Sequence, residues 1–277
     1  MLDLNLNDLI ERSLKEDVGT GDITTLSTID AKKEITGRFI AKEDGILCGM
    51  DVVRAVFAFV DPTIRLTVNK EDGEKVVKGD VIAEIAGLAR SILTGERLAL
   101  NLLQHMSGVA TRTHEAVEKV AGTTARICDT RKTTPGLRVL EKYAVKCGGG
   151  SNHRFNLADG VLIKDNHIEA AGGITNAVNM ARANIPHTLK IEVEVETFPQ
   201  LEEALEAGAD IIMLDNMSYD DMKKAVEIVG GRAITEASGN MGEKDLRLVA
   251  EAGVDLISIG ALTHSVKALD ISLKFKF

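Results

Sequence analysis

Between Asp129 and His167 the chain gathers groups able to bind an anion and act on it. The segment D-T-R-K-T-T-P-G-L-R (Asp129 to Arg138) leads through a helical run to G-G-G-S-N-H-R (Gly148 to Arg154). V-L-I-K-D-N-H (Val161 to His167) follows. This stretch places Arg131, Lys132, Arg138, His153, Arg154, Lys164 and His167 in a protein of formal net charge −9. Cations concentrated against the overall charge suit carboxylates or phosphates, which guanidinium and ammonium groups recognise through charge-assisted hydrogen bonds. Further on, Glu194 and Asp215 are carboxylates suited to holding a divalent cation or facing a developing positive charge. Two later segments, Ser238-Gly239-Asn240 and Ile259-Gly260-Ala261, look like the backbone-amide cradle that grips a phosphate after the last strands of a barrel. A phosphorylated sugar losing pyrophosphate needs all three kinds of group.

A repeated unit must position them. Apolar strands are expected at 125–129, 160–164, 190–195, 210–214, 233–236 and 255–259, each ending in charged, hydroxylic or glycine residues. Helices are expected at 136–146, 175–183, 199–207, 219–229 and 243–252. The string E-A-G-A-D-I-I at Glu206 recurs as E-A-G-V-D-L-I at Glu251, with glycine where a helix needs a left-handed residue before the next strand. Alternating strands and helices with short turns imply a parallel sheet wrapped by helices, with chemistry at the carboxyl ends of the strands. Six strands are too few for the eight-stranded barrel, so an incomplete α/β barrel is expected. A doubly wound sheet is the alternative, although no G-x-G-x-x-G follows the first strand.

The region before residue 110 has an α+β texture. An amphipathic helix carries Leu6, Leu9, Ile10 and Leu14, strands are expected at 35–41, 64–68 and 75–85, and a buried helix from 91 to about 105. The stretch from Gly73 to Ile85 resembles a biotinyl or lipoyl carrier hairpin but has no modifiable lysine at the turn, so it is read as strands of this first domain. E-D-V-G-T-G-D-I-T (Glu16 to Thr24) is read as a turn that fixes packing.

Bulk properties narrow the class. An acidic chain with 3% aromatic residues and no Trp is a poor nucleic-acid binder. Three widely spaced cysteines, Cys48, Cys128 and Cys147, fit neither a disulfide framework nor a zinc site and point to a reducing compartment. The acidic N-terminal segment is unlike a signal peptide, and no apolar run approaches the roughly 18 residues of a membrane span. A cytoplasmic protein is expected, with no nucleic-acid or membrane partner.

Plainer readings stand beside these. Lys164 and Arg131 could pair with Asp165 and Asp129 at a rim, and Glu192 could be a structural charge inside the barrel. His105, His114 and His187 show no partner pattern. His167 and His264 could line a pocket or serve structure. Arg138 and Tyr143 could brace the D-T-R-K loop or touch ligand, and Cys128 reads as a small buried hydrophobe. A Schiff-base aldolase would use Lys164 as its nucleophile.

Taken together, the motifs resemble the quinolinate phosphoribosyltransferase family over essentially the whole chain. They are E-D-x-G-x-G-D-I-T from Glu16, G-E-R from Gly95 with S-G at Gly108, and D-T-R-K-T-T-P-G-L-R from Asp129. G-G-G-S-N-H-R, K-D-N-H at Lys164, E-V-E-V-E at Glu192, L-D-N at Leu214, E-A-S-G at Glu236 and L-T-H-S at Leu262 complete the set. The resemblance implies an N-terminal α/β sandwich domain (1–108) and an incomplete, six-stranded α/β barrel (109–265), with the tail 266–277 returning to the first domain. It implies a homodimer, with room for a hexamer, in which Arg97 completes the site across the interface.

The implied reaction joins quinolinate to 5-phosphoribosyl 1-pyrophosphate with Mg2+, giving nicotinate mononucleotide, CO2 and pyrophosphate on the way to NAD. By the same resemblance, Arg97, Thr130, Arg131, Lys132, His153, Arg154 and Lys164 meet the pyridine dicarboxylate. Glu194 and Asp215 meet the ribose and the metal, which is held mainly by pyrophosphate. Ser238, Gly239, Asn240, Ile259, Gly260 and Ala261 hold the 5-phosphate. Lys132, Lys164, Glu194 and Asp215 carry the catalysis, with Lys132 polarising the decarboxylation. Asn240 departs from the family, which commonly has glycine there, but Asn tolerates left-handed backbone. A molybdenum-operon paralogue with another acceptor would share most of these motifs.

Overall fold

In the computed structural model of the chain, residues 3–276 are described. Phe277 of the expected tail, with Met1 and Leu2 of the N-terminal segment, lies outside the described residues. The chain forms two compact units. One comprises Met1–His114, Thr134–Gly149 and Ser265–Phe277, the other Glu115–Thr133 and Gly150–His264.

The chain begins with α1 (Asp3–Val18), α2 (Ile23–Thr28), β1 (Glu34–Ala41), β2 (Gly45–Ile46) and α3 (Met50–Val60). β3 (Arg65–Val68), β4 (Lys75–Val76), β5 (Val81–Leu88) and the long α4 (Ala89–Lys119) follow. β1 alternates exposed and buried residues, as a sheet with one face on a core requires. Its Phe39 meets Phe57 of α3 edge to face, with ring centroids 6.3 Å apart. β4 pairs with β2, while β5 lies between β1 and β3, so the segment from Gly73 to Ile85 is no hairpin. The turn read at Glu16–Thr24 is partly helical, because Asp22 caps α2 by accepting the Thr25 amide at 3.0 Å. α3 goes beyond the sequence expectation, and α4 runs past residue 105 because Met106, Val109, Ala110, Thr113 and Ala116 keep its buried face continuous.

Next come β6 (Arg126–Cys128), α5 (Arg138–Cys147), β7 (Val161–Ile163), α6 (Asp165–Ala171), α7 (Ile174–Asn184) and β8 (Ile191–Val195). α8 (Phe198–Glu206), β9 (Ile211–Asp215), α9 (Tyr219–Val229), β10 (Ile234–Ser238), α10 (Leu246–Glu251), β11 (Leu256–Ser258), α11 (Ala261–His264) and β12 (Ile271–Lys276) complete the chain. β12 pairs antiparallel with β1. Gln104 of α4 secures the approach, since its Nε2 donates to the Ile271 carbonyl at 2.6 Å and its carbonyl accepts the Leu269 amide at 3.0 Å. Gly108 is required there: a Cβ would lie 2.3 Å from the Lys267 carbonyl oxygen. α5 belongs to the first unit.

In the second unit six parallel strands run in the order β6-β11-β10-β9-β8-β7. β6 and β7 do not pair, which makes this an incomplete barrel. The repeated E-A-G-x-D string explains part of its register. Gly208 and Gly253 take left-handed φ of 79° and 92°. The following Asp210 and Asp255 each reach sideways, accepting the amides of Ile191 (2.7 Å) and Thr235 (2.8 Å) at the start of the neighbouring strand. α10 begins at Leu246, later than expected, because Asp245 caps it by accepting the Arg247 amide.

Candidate active site

The open edge of β6 explains how Arg131 and Lys132 meet His153 and Arg154. Ser151 bridges Cys128 in parallel on that edge, its amide donating to the Ile127 carbonyl at 2.8 Å while the Asp129 amide donates back to the Ser151 carbonyl at 3.1 Å. Asp129 is fully buried, and its carboxylate takes the next two groups of the incoming segment, Asn152 Nδ2 and the amide of residue 153. The segment is thus stitched alongside β6, which sets His153 and Arg154 beside Arg131 and Lys132. The Lys132 amide donates to Thr130 Oγ1 at 3.0 Å, and its carbonyl accepts Thr263 Oγ1 at 2.8 Å, which fixes the D-T-R-K turn.

Two adjoining cavities open at the strand ends. The first, about 300 Å³, is lined by Thr130, Arg131, Lys132, His153, Arg154 and Lys164, with Leu162 and Met213 supplying apolar wall. The second, about 350 Å³, is lined by Glu194, Asp215, Ser238, Gly239, Asn240, Gly260, Ala261 and His264. Both share Thr130, Lys132, Lys164, Ser238 and Ser258. The Lys164 ammonium, between them, pairs with Glu194 and not with Asp165, its partner in the plainer reading. Burial and the neighbouring Arg131 both push the Arg154 guanidinium below its ordinary pKa, which is the mark of cations crowded together. An anion there relieves that repulsion.

Beneath the cations lies a buried acidic pair. Register places Glu194, Met213 and Glu236 in one row across β8, β9 and β10, with Glu192 a pleat below Glu194. His153 Nδ1 accepts the Arg154 amide at 2.8 Å, so the ring proton sits on Nε2 and points to Glu192 Oε2 at 3.1 Å. Glu236 Oε2 is 3.6 Å from the same nitrogen. Burial, then the charge of Glu192, raises the Glu236 carboxyl to about 7. Glu192 Oε1 and both Glu236 oxygens are buried without a hydrogen-bond partner.

The glycine turns of the second cavity are closely packed, and at Gly239 there is no room for a side chain. Gly239 has φ 88°, and a Cβ on it would lie 2.2 Å from Asn216 Oδ1. Asn240 takes φ 52°, the left-handed conformation its side chain tolerates. A Cβ at Gly260 would meet Lys132 Cδ at 3.1 Å and His264 at 3.3 Å.

Most of the residues singled out from sequence therefore line one continuous opening. Arg97 and Ile259 do not: Arg97 is exposed on α4 in the first unit, and Ile259 is buried, its amide donating to the Cys128 carbonyl. Asp129 and Glu236, both fully buried, belong to this arrangement although the sequence suggested only a rim pairing for Asp129 and no role for Glu236. His105 does have a partner, the buried Glu141 at 2.9 Å, whose other oxygen accepts the Thr134 amide at 3.0 Å. Tyr143 donates to Asp72 at 3.0 Å. His167 is structural, its Nδ1 accepting the Lys164 amide at 3.0 Å, whereas His264 lines the second cavity.

Comparison with known proteins gives the family. Models of the N- and C-terminal domains of quinolinate phosphoribosyl transferase match residues 22–107 and 109–274. The chain is 47% identical over 270 residues to the probable nicotinate-nucleotide pyrophosphorylase [carboxylating] of Bacillus subtilis, covering 98% of this chain and 93% of that protein. It is 44% identical to the chloroplastic nicotinate-nucleotide pyrophosphorylase [carboxylating] of Arabidopsis thaliana, covering 98% and 82%. The structure of the nicotinate-nucleotide pyrophosphorylase from Francisella tularensis superposes with a TM-score of 0.94 at 43% identity, covering 98% and 96%. A cluster of cations beside a carboxylate-lined cavity, on a six-stranded open barrel, is thus found in a chain that belongs to the quinolinate phosphoribosyl transferase family.

Proposed function

We propose that the chain transfers the phosphoribosyl group of 5-phosphoribosyl 1-pyrophosphate to quinolinate with loss of CO2, giving nicotinate mononucleotide and pyrophosphate for NAD synthesis. The observation that carries this reading is the adjacency of the two cavities. One is walled by Arg131, Lys132, Arg154 and Lys164, and the other by Glu194, Asp215 and the glycine turns. A planar dianion fits the first, since Arg and Lys pair with carboxylates while Leu162 and Met213 offer apolar contact to a ring. A sugar phosphate fits the second.

The chemistry follows from this placement. Arg131, Lys132, His153, Arg154 and Lys164 orient the pyridine so that its nitrogen faces the sugar. As pyrophosphate leaves, the anomeric carbon becomes oxocarbenium-like, and the Glu194 and Asp215 carboxylates stabilise that charge. The ribosylated ring nitrogen is cationic, so the adjacent carboxylate can depart as CO2 with its electrons held at the ring carbon, which then takes a proton from solvent to give nicotinate mononucleotide. Lys132 polarises that step. Ser238 to Asn240, with Gly260 and Ala261, hold the 5-phosphate; Ile259, whose amide donates to the Cys128 carbonyl, only positions that second turn.

The donor set suits Mg2+, a hard cation that takes carboxylate and phosphate oxygens. Asp215 and Glu194 are carboxylates on the second cavity, and the Lys164 pairing leaves pyrophosphate oxygens as the main ligands. When bound, the ion neutralises charge on the leaving pyrophosphate. Residues 1–108 are taken as the N-terminal domain, residues 109–265 as the catalytic barrel, and the tail 266–277 as part of the former. The working form is a homodimer, able to build a hexamer, in which Arg97 of one subunit reaches the dicarboxylate of the other. We place the enzyme in the cytoplasm; no helix among the described residues is long and apolar enough to cross a membrane.

The test is incubation with carboxyl-labelled quinolinate, 5-phosphoribosyl 1-pyrophosphate and Mg2+. Release of labelled CO2 dependent on all three supports the reading. Pyrophosphate release with another acceptor, and none with quinolinate, would replace it with the paralogue's chemistry.

A further inference from the structure

Away from the strand ends, in the first unit, two of the three cysteines meet. Cys48 is separated from α3 by Gly49 alone and is fully buried; Cys147 is the last residue of α5 and is half-buried. Their sulfurs and a carboxylate oxygen of Asp72 lie within 4.8 Å of one another. The Tyr143 hydroxyl donates to Asp72 at 3.0 Å, and the neighbouring Cys48 and Tyr143 together favour the Cys147 thiolate.

The surroundings make this approach a fixed feature. Ser107 of α4 clamps the backbone at Cys48 from both sides, its Oγ accepting the amide at 3.0 Å and donating to the carbonyl at 3.1 Å. After Cys147, Gly148 packs so tightly on α4 that a Cβ would lie 2.4 Å from the Ala110 carbonyl oxygen. Both backbones are therefore held, and side-chain rotation is what remains to bring sulfur to sulfur.

A metal is the competing reading of the same cluster, and Asp72 argues against it. Its Oδ1 already accepts the amides of Gly49 and Met50, each at 2.9 Å, and its Oδ2 accepts the Tyr143 hydroxyl. That leaves two thiols and little of a carboxylate, short of the four ligands a closed zinc site takes.

We propose that Cys48 and Cys147 form a redox modification site, a reversible intramolecular disulfide made when the protein meets hydrogen peroxide. The half-buried Cys147 is the first to react. Its thiolate attacks one peroxide oxygen and becomes a sulfenic acid, while the other oxygen leaves as hydroxide and is protonated to water. Cys48 then gives up its proton and attacks the sulfenic sulfur, so that the S–S bond forms and the hydroxyl leaves as a second water. Two thiols are oxidised by two electrons and one peroxide is reduced to two waters. Division of labour between the thiols agrees with their environments. The neighbouring Cys48 favours the Cys147 thiolate, whereas burial strongly disfavours a Cys48 thiolate in the absence of an electrophile beside it.

The experiment treats the native full-length chain with stoichiometric hydrogen peroxide, blocks remaining thiols in denaturant, and maps the peptides by mass. The expected product is lighter by two hydrogen atoms, has a Cys48–Cys147 cross-linked peptide, and keeps Cys128 as its one blocked thiol. Dithiothreitol restores all three thiols. Cys147→Ser, at the half-buried position, gives no cross-link while retaining the circular dichroism spectrum of the parent. Tyr143→Phe slows cross-linking at least threefold. The proposal is overturned if three thiols survive the peroxide, if Cys147 proceeds to sulfinic acid without a cross-link, or if purified protein carries a stoichiometric metal that shields both sulfurs.

Discussion

The buried carboxylate of Asp129 accepts the backbone amide of His153 at 2.9 Å with one oxygen and Asn152 Nδ2 at 2.6 Å with the other. This contact converts an unpaired strand edge into a wall of the first cavity, because Arg131 and Lys132 follow Asp129 in the chain while His153 and Arg154 ride on the segment it holds. Asp129→Ala leaves buried donors unsatisfied and is expected to cost about 2–4 kcal/mol of stability. Its KM for quinolinate should rise more than its KM for the sugar phosphate, with Asp129→Asn intermediate. Denaturant melts and steady-state kinetics check this; an unchanged quinolinate KM in a folded Asp129→Ala protein contradicts it.

Glu236 supplies a pH dependence. Its carboxyl is raised by burial and by Glu192 from 4.5 to about 7 in the folded chain. A group raised on folding stabilises fully below its unfolded pKa and loses that contribution as pH climbs through the folded value. Wild-type stability should therefore fall between about pH 5 and 8 relative to Glu236→Gln, by on the order of 3 kcal/mol. Urea titrations of both proteins across that range give the comparison, and parallel profiles would refute the assignment.

At Gly239 the left-handed backbone and the 2.2 Å approach of Asn216 Oδ1 leave no place for a methyl group. Gly239→Ala should raise the KM for 5-phosphoribosyl 1-pyrophosphate at least ~10-fold, about 1.4 kcal/mol, while the quinolinate KM changes less. Equal shifts in both would mean a global disturbance and not a phosphate cradle.

Removing a desolvated charge contact costs about 2–5 kcal/mol, so Lys132→Ala and Arg97→Ala should each lower kcat/KM at least ~30-fold. For Arg97 the stronger check is complementation. Mixing Arg97→Ala with Lys132→Ala subunits should restore part of the activity, because one site of the mixed dimer then carries both residues. No recovery on mixing would argue against a shared site.

Chelation tests the metal. With EDTA, turnover should fall at least ~100-fold, in line with the several kcal/mol that charge neutralisation of a leaving pyrophosphate contributes, and added Mg2+ should restore it. Activity indifferent to EDTA would exclude a metal-assisted step.

Much of the site was legible because parallel strands put their polar residues at one end. Lys164 and Asp215 each end an apolar run, Glu194 and Ser238 lie at the carboxyl ends of their strands, and the glycines of the E-A-G-x-D repeats marked the helix ends. What could not be read depends on partners distant in the chain. The sideways bonds of Asp210 and Asp255, the Ser151 bridge to Cys128, and the meeting of His153 with Glu192 and Glu236 all follow from strand register. No local pattern encodes that register. α3 escaped notice because its apolar run, Val52 to Val60, has no cap signal, only Gly49 in a left-handed turn.

The most direct test compares pyrophosphate release with quinolinate and with nicotinate as acceptor, at saturating 5-phosphoribosyl 1-pyrophosphate and Mg2+, for wild type and Arg154→Ala. A pocket built for two carboxylates should favour quinolinate in kcat/KM by at least ~100-fold, and losing Arg154 should erase most of that margin. Equal rates for the two acceptors in wild type, or a margin untouched by Arg154→Ala, would contradict the dianion pocket.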